Sequence, residues 1–377
     1  MTVKELKLKN FRQFRAKTLS FTKPWTIIVG RNAQGKSTVI EALYVLSHGE
    51  SPWESNNSHL ITTEEDAASS KRSYEKLDSS TSRIDATVET ADDLVSLAII
   101  LTSNGNSTVK QFEIEGSSTN KQNFSSSFNS VLFSPNLIDT LMYEPSQRRT
   151  FLDAYAIQLD PHYQRVINDY RKILRQRNSQ LKALISSNGP RDRGRSLQYW
   201  TDQLIILGSE ILHTRAELAD DINTSSENTP AKIIYTPNID IYNDDELADI
   251  TSIKELFSNR LEETRKKESY AGITLVGPHR DDWFLSKNGT NLNTYGSRGE
   301  LRLAIIDVLM RLSDLLAEKK GDVPVLLLDD ISSELDRENV KKLFDEKIPA
   351  SQQAIITTTN INDIPEPIRK RSLVINL

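Results

Sequence analysis

The run Gly30-Arg31-Asn32-Ala33-Gln34-Gly35-Lys36-Ser37, followed by Thr38, has the spacing G-x-x-x-x-G-K-S. That spacing suits phosphate chemistry. The glycines let the backbone curl so that its N–H groups surround an anion, the lysine reaches the β- and γ-phosphates of a nucleotide, and the Ser37 hydroxyl is a hard oxygen ligand for Mg²⁺. A second element of the same chemistry is Val325-Leu-Leu-Leu328 followed by Asp329-Asp330. A buried strand ending in an acid places a carboxylate beside the metal, so Asp329 is the expected metal-side ligand with Ser37, and Asp330 stands where a general base for an attacking water belongs. The alternative for the acids is a strand followed by a solvated turn.

Two further segments decide the class of this loop. Ser332-Ser333-Glu334-Leu335-Asp336 resembles the D-loop of ABC-type ATPases, with Ser333 and Asp336 in its defining positions. Upstream, Tyr295-Gly296-Ser297-Arg298-Gly299-Glu300 opens a helical pattern and is similar to a relaxed LSGGQ signature, with Ser297, Gly299 and Glu300 in register and Arg298 in place of the first glycine. Such a helix start serves a γ-phosphate held by another subunit; the alternative is an N-capped helix without a ligand. Two heads would then sandwich two nucleotides, and nucleotide would act as dimer glue. Thr357-Thr358-Thr359 stands where transporters carry a switch histidine, which argues against a transporter motor. No glutamine falls near Phe133-Ser134-Pro135, where a Q-loop would lie. The second acid is Asp where many ABC ATPases carry Glu, and its shorter reach predicts slow hydrolysis.

The elements that must position these groups can be traced along the chain. Alternation over Val3–Leu8 predicts a strand, and Trp25-Thr-Ile-Ile-Val29 a second one feeding the glycine loop, with a helix from Thr38 to Leu46. The Ser/Thr/Asn-rich stretch 51–130 carries strand-like runs at Ile84–Val88, Leu94–Leu101 and Val109–Ile114, which predict an antiparallel β lobe. From Gln147 long helical patterns take over, Tyr163–Leu184 and Leu197–Leu218, separated by a Gly189-Pro190 turn. They predict an inserted helical arm ending near Lys266, with one weak strand at Lys232–Tyr235. An exposed helix over Gly299–Lys319 and strands at Val323–Leu328 and Ala354–Thr358 restore the α/β pattern. The predicted domains are therefore a split head, 1–145 and 268–377, and an inserted helical arm, 146–267.

Composition excludes several classes. Charged residues are 26% and hydrophobic ones 37% of 377 residues, with no apolar run near the roughly 20 residues of a membrane span. The start lacks the apolar segment of a signal peptide, so the expected location is the cytoplasm without membrane attachment. Zero cysteines exclude disulfides, thiolate catalysis and cysteine-bound zinc. The net charge of −5 opposes non-specific phosphate binding, so a nucleic-acid site must be local. One basic stretch exists, from Arg148 and Arg149 through Arg165, Arg171, Lys172, Arg175, Arg177 and Lys182 to Arg191, Arg193 and Arg195. It is either a solvated helix face or a DNA surface.

Taken together, Leu6-Lys-Leu-Lys-Asn-Phe-Arg12, Gln34-Gly-Lys-Ser37, Glu41-Ala-Leu43, Val131-Leu-Phe-Ser-Pro135, Gln147-Arg-Arg149 with Phe151-Leu-Asp153, Tyr170, Leu174-Arg-Gln-Arg-Asn178 and Gly277-Pro-His-Arg-Asp-Asp282 resemble the RecF family across nearly the whole chain. The resemblance implies an α/β ABC-type ATPase head, a P-loop sheet with an antiparallel β lobe, plus the inserted α-helical arm. It implies a slow ATPase with ATP and Mg²⁺ as cofactors, an ATP-dependent homodimer that binds single-stranded and gapped or double-stranded DNA, and work with RecR, RecO and RecA in repair. It places Arg12 near the nucleotide phosphates and makes Arg148, Arg149, Arg171, Arg175 and Arg177 the candidate DNA contacts. Arg280 and Asp281 form either a polar cluster or a buried structural ion pair. The competing readings are an ABC transporter subunit and another SMC- or OLD-like nucleotide-dependent DNA or defence protein.

Overall fold

In the computed structural model residues 1–62, 81–104, 107–186, 192–225, 231–241 and 244–377 are described. They form two compact units, Met1–Asp139 with Ile305–Leu377, and Thr140–Ala304. The predicted Gly189-Pro190 turn and Arg191 fall outside the described residues, as do the side chains of Arg193 and Arg195.

The first unit begins with β1 (Thr2–Phe11), β2 (Phe14–Ser20) and β3 (Trp25–Val29), then α1 (Lys36–His48). Next come β4 (Thr81–Glu89), β5 (Leu94–Ser103), β6 (Thr108–Ile114), β7 (Ser117–Thr119) and β8 (Ser130–Phe133). The order β2-β1-β4-β5-β6-β7 makes a fully antiparallel sheet. Its alternation is that of a sheet with one wet face: Ser82, Ile84, Ala86 and Val88 of β4 point inward while the residues between them are half-buried. The inward face packs with Val39, Leu43, Val45 and Leu46 of α1 into one apolar core. Each fully buried aliphatic side chain there contributes about 1.5–3 kcal/mol relative to exposure.

The second unit holds α2 (Pro145–Leu159), α3 (Tyr163–Ser186), α4 (Asp192–Thr224), β9 (Ala231–Thr236), α5 (Ile250–Ala271), β10 (Asp282–Lys287) and β11 (Thr290–Asn291). The apolar stripe read from the sequence is the packed face of α3, with Val166, Ile167, Tyr170 and Leu181 buried. The weak strand at Lys232–Tyr235 is real. It is β9, paired antiparallel to β10 from Ala231↔Lys287 to Thr236↔Asp282, and this pairing groups residues 268–304 with the helical unit rather than with the head.

The helix α6 (Arg298–Lys320) starts in the second unit and continues in the first. The expectation of an exposed helix is corrected here, because Leu301, Ile305, Val308, Leu309, Leu312 and Leu316 are all buried. Its charges do not mark a solvent face: Asp307 and Arg311 are buried as well and pair at i,i+4 (3.3 Å), with Lys347 Nζ on the same aspartate at 2.6 Å. The chain then closes the second sheet with β12 (Val325–Leu328), β13 (Ala354–Thr358) and β14 (Leu373–Asn376). The order β14-β3-β13-β12-β8 is parallel throughout, and β12 and β13 are buried at every position, as strands covered on both faces must be.

Candidate nucleotide-binding site

Parallel strands present their C-terminal ends on one edge, and three of those ends build the candidate site. β3 runs into Gly30–Gly35, and α1 starts at Lys36 immediately after it. Gly35 is required on two counts. Its φ of +96° belongs to the left-handed region, and a Cβ there would lie 2.3 Å from the Phe14 ring. Lys36 is buried and donates to the carbonyls of Gly30 (2.9 Å) and Arg31 (3.0 Å), while Gln34 Oε1 accepts from Arg31 N–H at 2.5 Å. Arg31, Asn32, Ala33 and Gln34 are exposed along the loop. Thr38 Oγ1 donates to Gln13 Oε1 (2.9 Å), and Gln13 belongs to none of the sequence motifs.

The register β12–β13–β3 brings the acids to the loop. Ser37 Oγ donates to Asp329 Oδ1 at 3.0 Å, across a separation of 292 residues. Thr357 of β13 donates to the same Oδ1 at 2.6 Å and accepts from the Asp330 N–H at 2.9 Å. Burial pushes the Asp329 carboxyl up from its usual range, against the opposing pull of the Thr357 and Ser37 hydrogen bonds. Asp330 has φ of +45° and immediately precedes the short helix Ile331–Glu334 that carries the D-loop serines, with no side-chain capping bond to it. Ser333 Oγ donates to the Asp330 carbonyl (2.8 Å), and Asp336 caps the helix Arg337–Lys342 by accepting from Asn339 N–H (2.8 Å). A hydroxyl and a buried carboxylate in contact fit Mg²⁺, a hard ion that takes few protein oxygens and completes its shell with water and phosphate. Among the described residues no cluster of three or more acids, histidines or cysteines forms an all-protein metal cage.

Arg12 does not point freely into this region. Its Nε and Nη2 grip Glu41 at 2.8 and 2.6 Å, and Nη1 donates to the His59 carbonyl at 3.2 Å. In the second unit, Ser297, Gly299 and Glu300 open α6. Glu300 Oε2 accepts from the Ser297 N–H (3.1 Å) and Oγ (3.0 Å), and Ser297 Oγ accepts in turn from Glu300 N–H (3.2 Å). That is a reciprocal capping box.

The candidate DNA arginines divide sharply. Arg148 is 7% exposed and forks onto Asp282 at 2.6 and 2.7 Å; Arg177 is 3% exposed and donates to Glu268, Thr274 and Thr201. These two are corrected from surface cations to interior ones, since a buried guanidinium already held by a carboxylate has no donors to give a phosphate. Arg149 is half-buried and donates to the Asp281 carbonyl (2.7 Å). Arg171 and Arg175 lie exposed on α3. Asp281 is buried, but its cation is Arg215 (3.3 Å) rather than Arg280, and it also accepts from Tyr235 Oη and from Asn238 N–H (2.7 Å). Arg215 in turn forks onto Asp153 at 2.9 and 3.0 Å. Arg215, Tyr235 and Glu268 escaped the sequence reading, because an Arg or Glu in an amphipathic helix looks like an ordinary solvated residue.

Against known proteins, residues 2–366 match the model of the RecF/RecN/SMC N terminal domain family. The chain is 31% identical to the DNA replication and repair protein RecF of Bacillus cytotoxicus, over all of this chain and 97% of that protein. It is 32% identical to its counterpart in Acaryochloris marina, over 96% and 93% of the two chains. A solved structure of the recombination mediator protein RecF-ATPrS in the RecFOR pathway superposes with a TM-score of 0.83 at 29% identity, covering 97% of this chain and 94% of that one. The RecF-ATP structure of the same pathway gives 0.81 at 29% identity, over 96% and 93%. No helix of the described residues is long and apolar enough to cross a membrane. With a family model matched over nearly the whole chain and relatives matched over 93–97% of their own length, the chain belongs to the RecF family.

Proposed function

We propose that the protein is an ATP-dependent, DNA-binding ATPase of recombinational repair and replication restart. In this reading it binds ATP and Mg²⁺, dimerises on ATP, engages single-stranded or gapped duplex DNA, and helps RecA loading together with RecO and RecR in the cytoplasm. The observation that carries the reading is the contact of Ser37 with Asp329, which joins the phosphate loop to the acid strand from opposite ends of the chain. Relatives described as DNA replication and repair proteins, and as RecF-ATP, support the cellular role and the nucleotide.

The chemistry follows from the residues. The Gly30–Gly35 backbone and the α1 N-terminus receive the phosphates, and Lys36 exchanges the Gly30 and Arg31 carbonyls for phosphate oxygens. Ser37 and Asp329 would hold Mg²⁺, which would supply charge neutralisation to the phosphates when bound. Asp330 takes a proton from water as that water attacks the γ-phosphorus. The bond from the γ-phosphorus to the bridging oxygen breaks, and ADP leaves with the electron pair. Ser297, Gly299 and Glu300 act on the γ-phosphate of a second copy, with Ser333 and Asp336 at the same seam. The exposed Arg171 and Arg175, with Arg149, supply phosphate contacts on DNA, and residues of the helical unit serve as the arm.

Light scattering with Mg²⁺ and no nucleotide, ADP or ATP tests this reading, with Asp330→Asn used to prevent turnover. An ATP-only shift from monomer to dimer, abolished by Ser297→Arg while monomer ATP binding persists, is the expected result. A protein that stays monomeric in all conditions, or a Ser297→Arg variant that dimerises normally, contradicts it.

A further inference from the structure

The end of β13 touches the two acids, the start of the D-loop and the first residue of the phosphate loop. Thr357 and Thr358 are adjacent, both fully buried, and their side chains leave opposite faces of the strand. Thr357 Oγ1 donates to Asp329 Oδ1 (2.6 Å) and accepts from the Asp330 N–H (2.9 Å). Thr358 Oγ1 shares a hydrogen bond with Ser332 Oγ (3.1 Å), and the Thr358 carbonyl accepts from Gly30 N–H (3.4 Å), the first residue of the phosphate loop.

The direction of the Thr357 hydrogen bonds is fixed. A hydroxyl has one proton; the Asp330 N–H can only donate, so Thr357 must accept there, and its proton goes to the carboxylate. Asp329 Oδ1 thereby receives two hydroxyl protons, from Ser37 and from Thr357, which orients the carboxylate with that oxygen engaged. The Asp330 N–H is equally constrained, at a residue whose φ of +45° is unusual for a side chain other than glycine. One hydroxyl therefore sets the direction of the metal-side acid and the backbone from which the second acid projects.

We infer that Thr357 is a positioning residue for ATP hydrolysis, holding Asp329 and Asp330 at the spacing their metal and proton roles need. The inference rests on the proposed ATPase reading. Valine has the same branched shape without the hydroxyl, so Thr357→Val keeps the packing of β13 while leaving the half-buried Asp330 N–H and a carboxylate oxygen of Asp329 each short of a partner. Serine restores the hydroxyl and loses only a methyl group.

The test is steady-state ATP hydrolysis by the full chain as Mg²⁺ is titrated, alongside binding of a fluorescent ATP analogue, for wild type, Thr357→Val and Thr357→Ser. Thr357→Val is expected to lower kcat and raise the half-saturating Mg²⁺ concentration, together by about 10- to 100-fold, the usual cost of removing a residue that orients a metal ligand. Its nucleotide KM should change by less than about threefold, and Thr357→Ser should recover most of kcat. Wild-type kcat and Mg²⁺ dependence in Thr357→Val would overturn the inference. So would equal losses in both variants accompanied by lowered melting temperatures, because the methyl packing and not the hydroxyl would then matter. If the wild type itself hydrolyses no ATP, the ATPase reading fails, and if Asp329→Asn, measured in parallel, hydrolyses ATP normally, the metal role of Asp329 fails; each failure is separate from either Thr357 outcome.

Discussion

Two pairs of adjacent aspartates, Asp281-Asp282 and Asp329-Asp330, look alike in sequence and are surrounded in opposite ways. In the second unit the acids meet guanidinium groups: Arg215 on Asp281, and the Arg148 fork on Asp282. In the first unit Asp329 is held by two hydroxyls, and among the described residues no lysine or arginine forms an ion pair with Asp329 or Asp330. A carboxylate already neutralised by a fixed cation is a structural fastener. One held in direction by neutral donors keeps its charge for something that arrives; in the proposed function that is a divalent ion at Asp329 and a proton at Asp330. Nearest partners, not the acids themselves, separate the two roles.

The comparison breaks most visibly at Arg215. Arg215→Ala leaves Asp153 and Asp281 buried without their cation, and should lower unfolding stability by about 3–5 kcal/mol in denaturant titrations. A loss under 1 kcal/mol would mean that the second pair is not a fastener.

A smaller effect should appear at His279, which sits in the same motif and bonds Tyr170 Oη at 2.7 Å. Burial, reinforced by the charges of Arg280, Arg149 and Arg177, lowers its pKa to about 4. The unfolded chain then binds the extra proton below the ordinary histidine value of about 6.5, so stability is full above that pH and falls as pH drops toward 4. Between pH 7 and pH 5 the wild type should lose about 1–2 kcal/mol more than His279→Gln, read from denaturant midpoints at the two pH values.

The smallest effect sharpens the contrast among arginines. Arg171→Ala and Arg175→Ala should leave stability within about 0.5 kcal/mol. In the proposed DNA role, each should lower the salt dependence of DNA affinity by about one unit in the log–log slope. Arg177→Ala should do the reverse, destabilising the fold before any binding can be compared.

How much of this was legible depended on how local each signal is. The phosphate loop is contiguous, so Gly30 to Ser37 carried its strand–loop–helix context in its own neighbourhood, and the buried parallel strand Val325–Leu328 was equally plain as an apolar run. The fasteners were not legible. Arg215 lies 66 residues from Asp281 and reads as one more charge on a long helix, while Arg148 and Arg177 sit in a basic stretch that resembles a DNA surface until their acids are seen. Thr357 was visible only as the residue type where a switch histidine was missing. Its role depends on the β12–β13 register, which pairs Leu328 with Ile356 and so sets Thr357 beside the acids. The burial of α6 was hidden for the same reason, since Asp307 and Arg311 pair with each other inside the fold and Lys347, which also meets Asp307, lies far along the chain.

The most direct test of the account compares single-turnover hydrolysis of bound ATP, with Mg²⁺ and DNA, in wild type, Asp330→Asn and Asp282→Asn. The account predicts that Asp330→Asn binds ATP normally and loses hydrolysis by about 10²-fold or more, as removal of a general base does, while Asp282→Asn lowers stability and leaves the rate per folded molecule within about twofold. Hydrolysis at the wild-type rate in Asp330→Asn would contradict it.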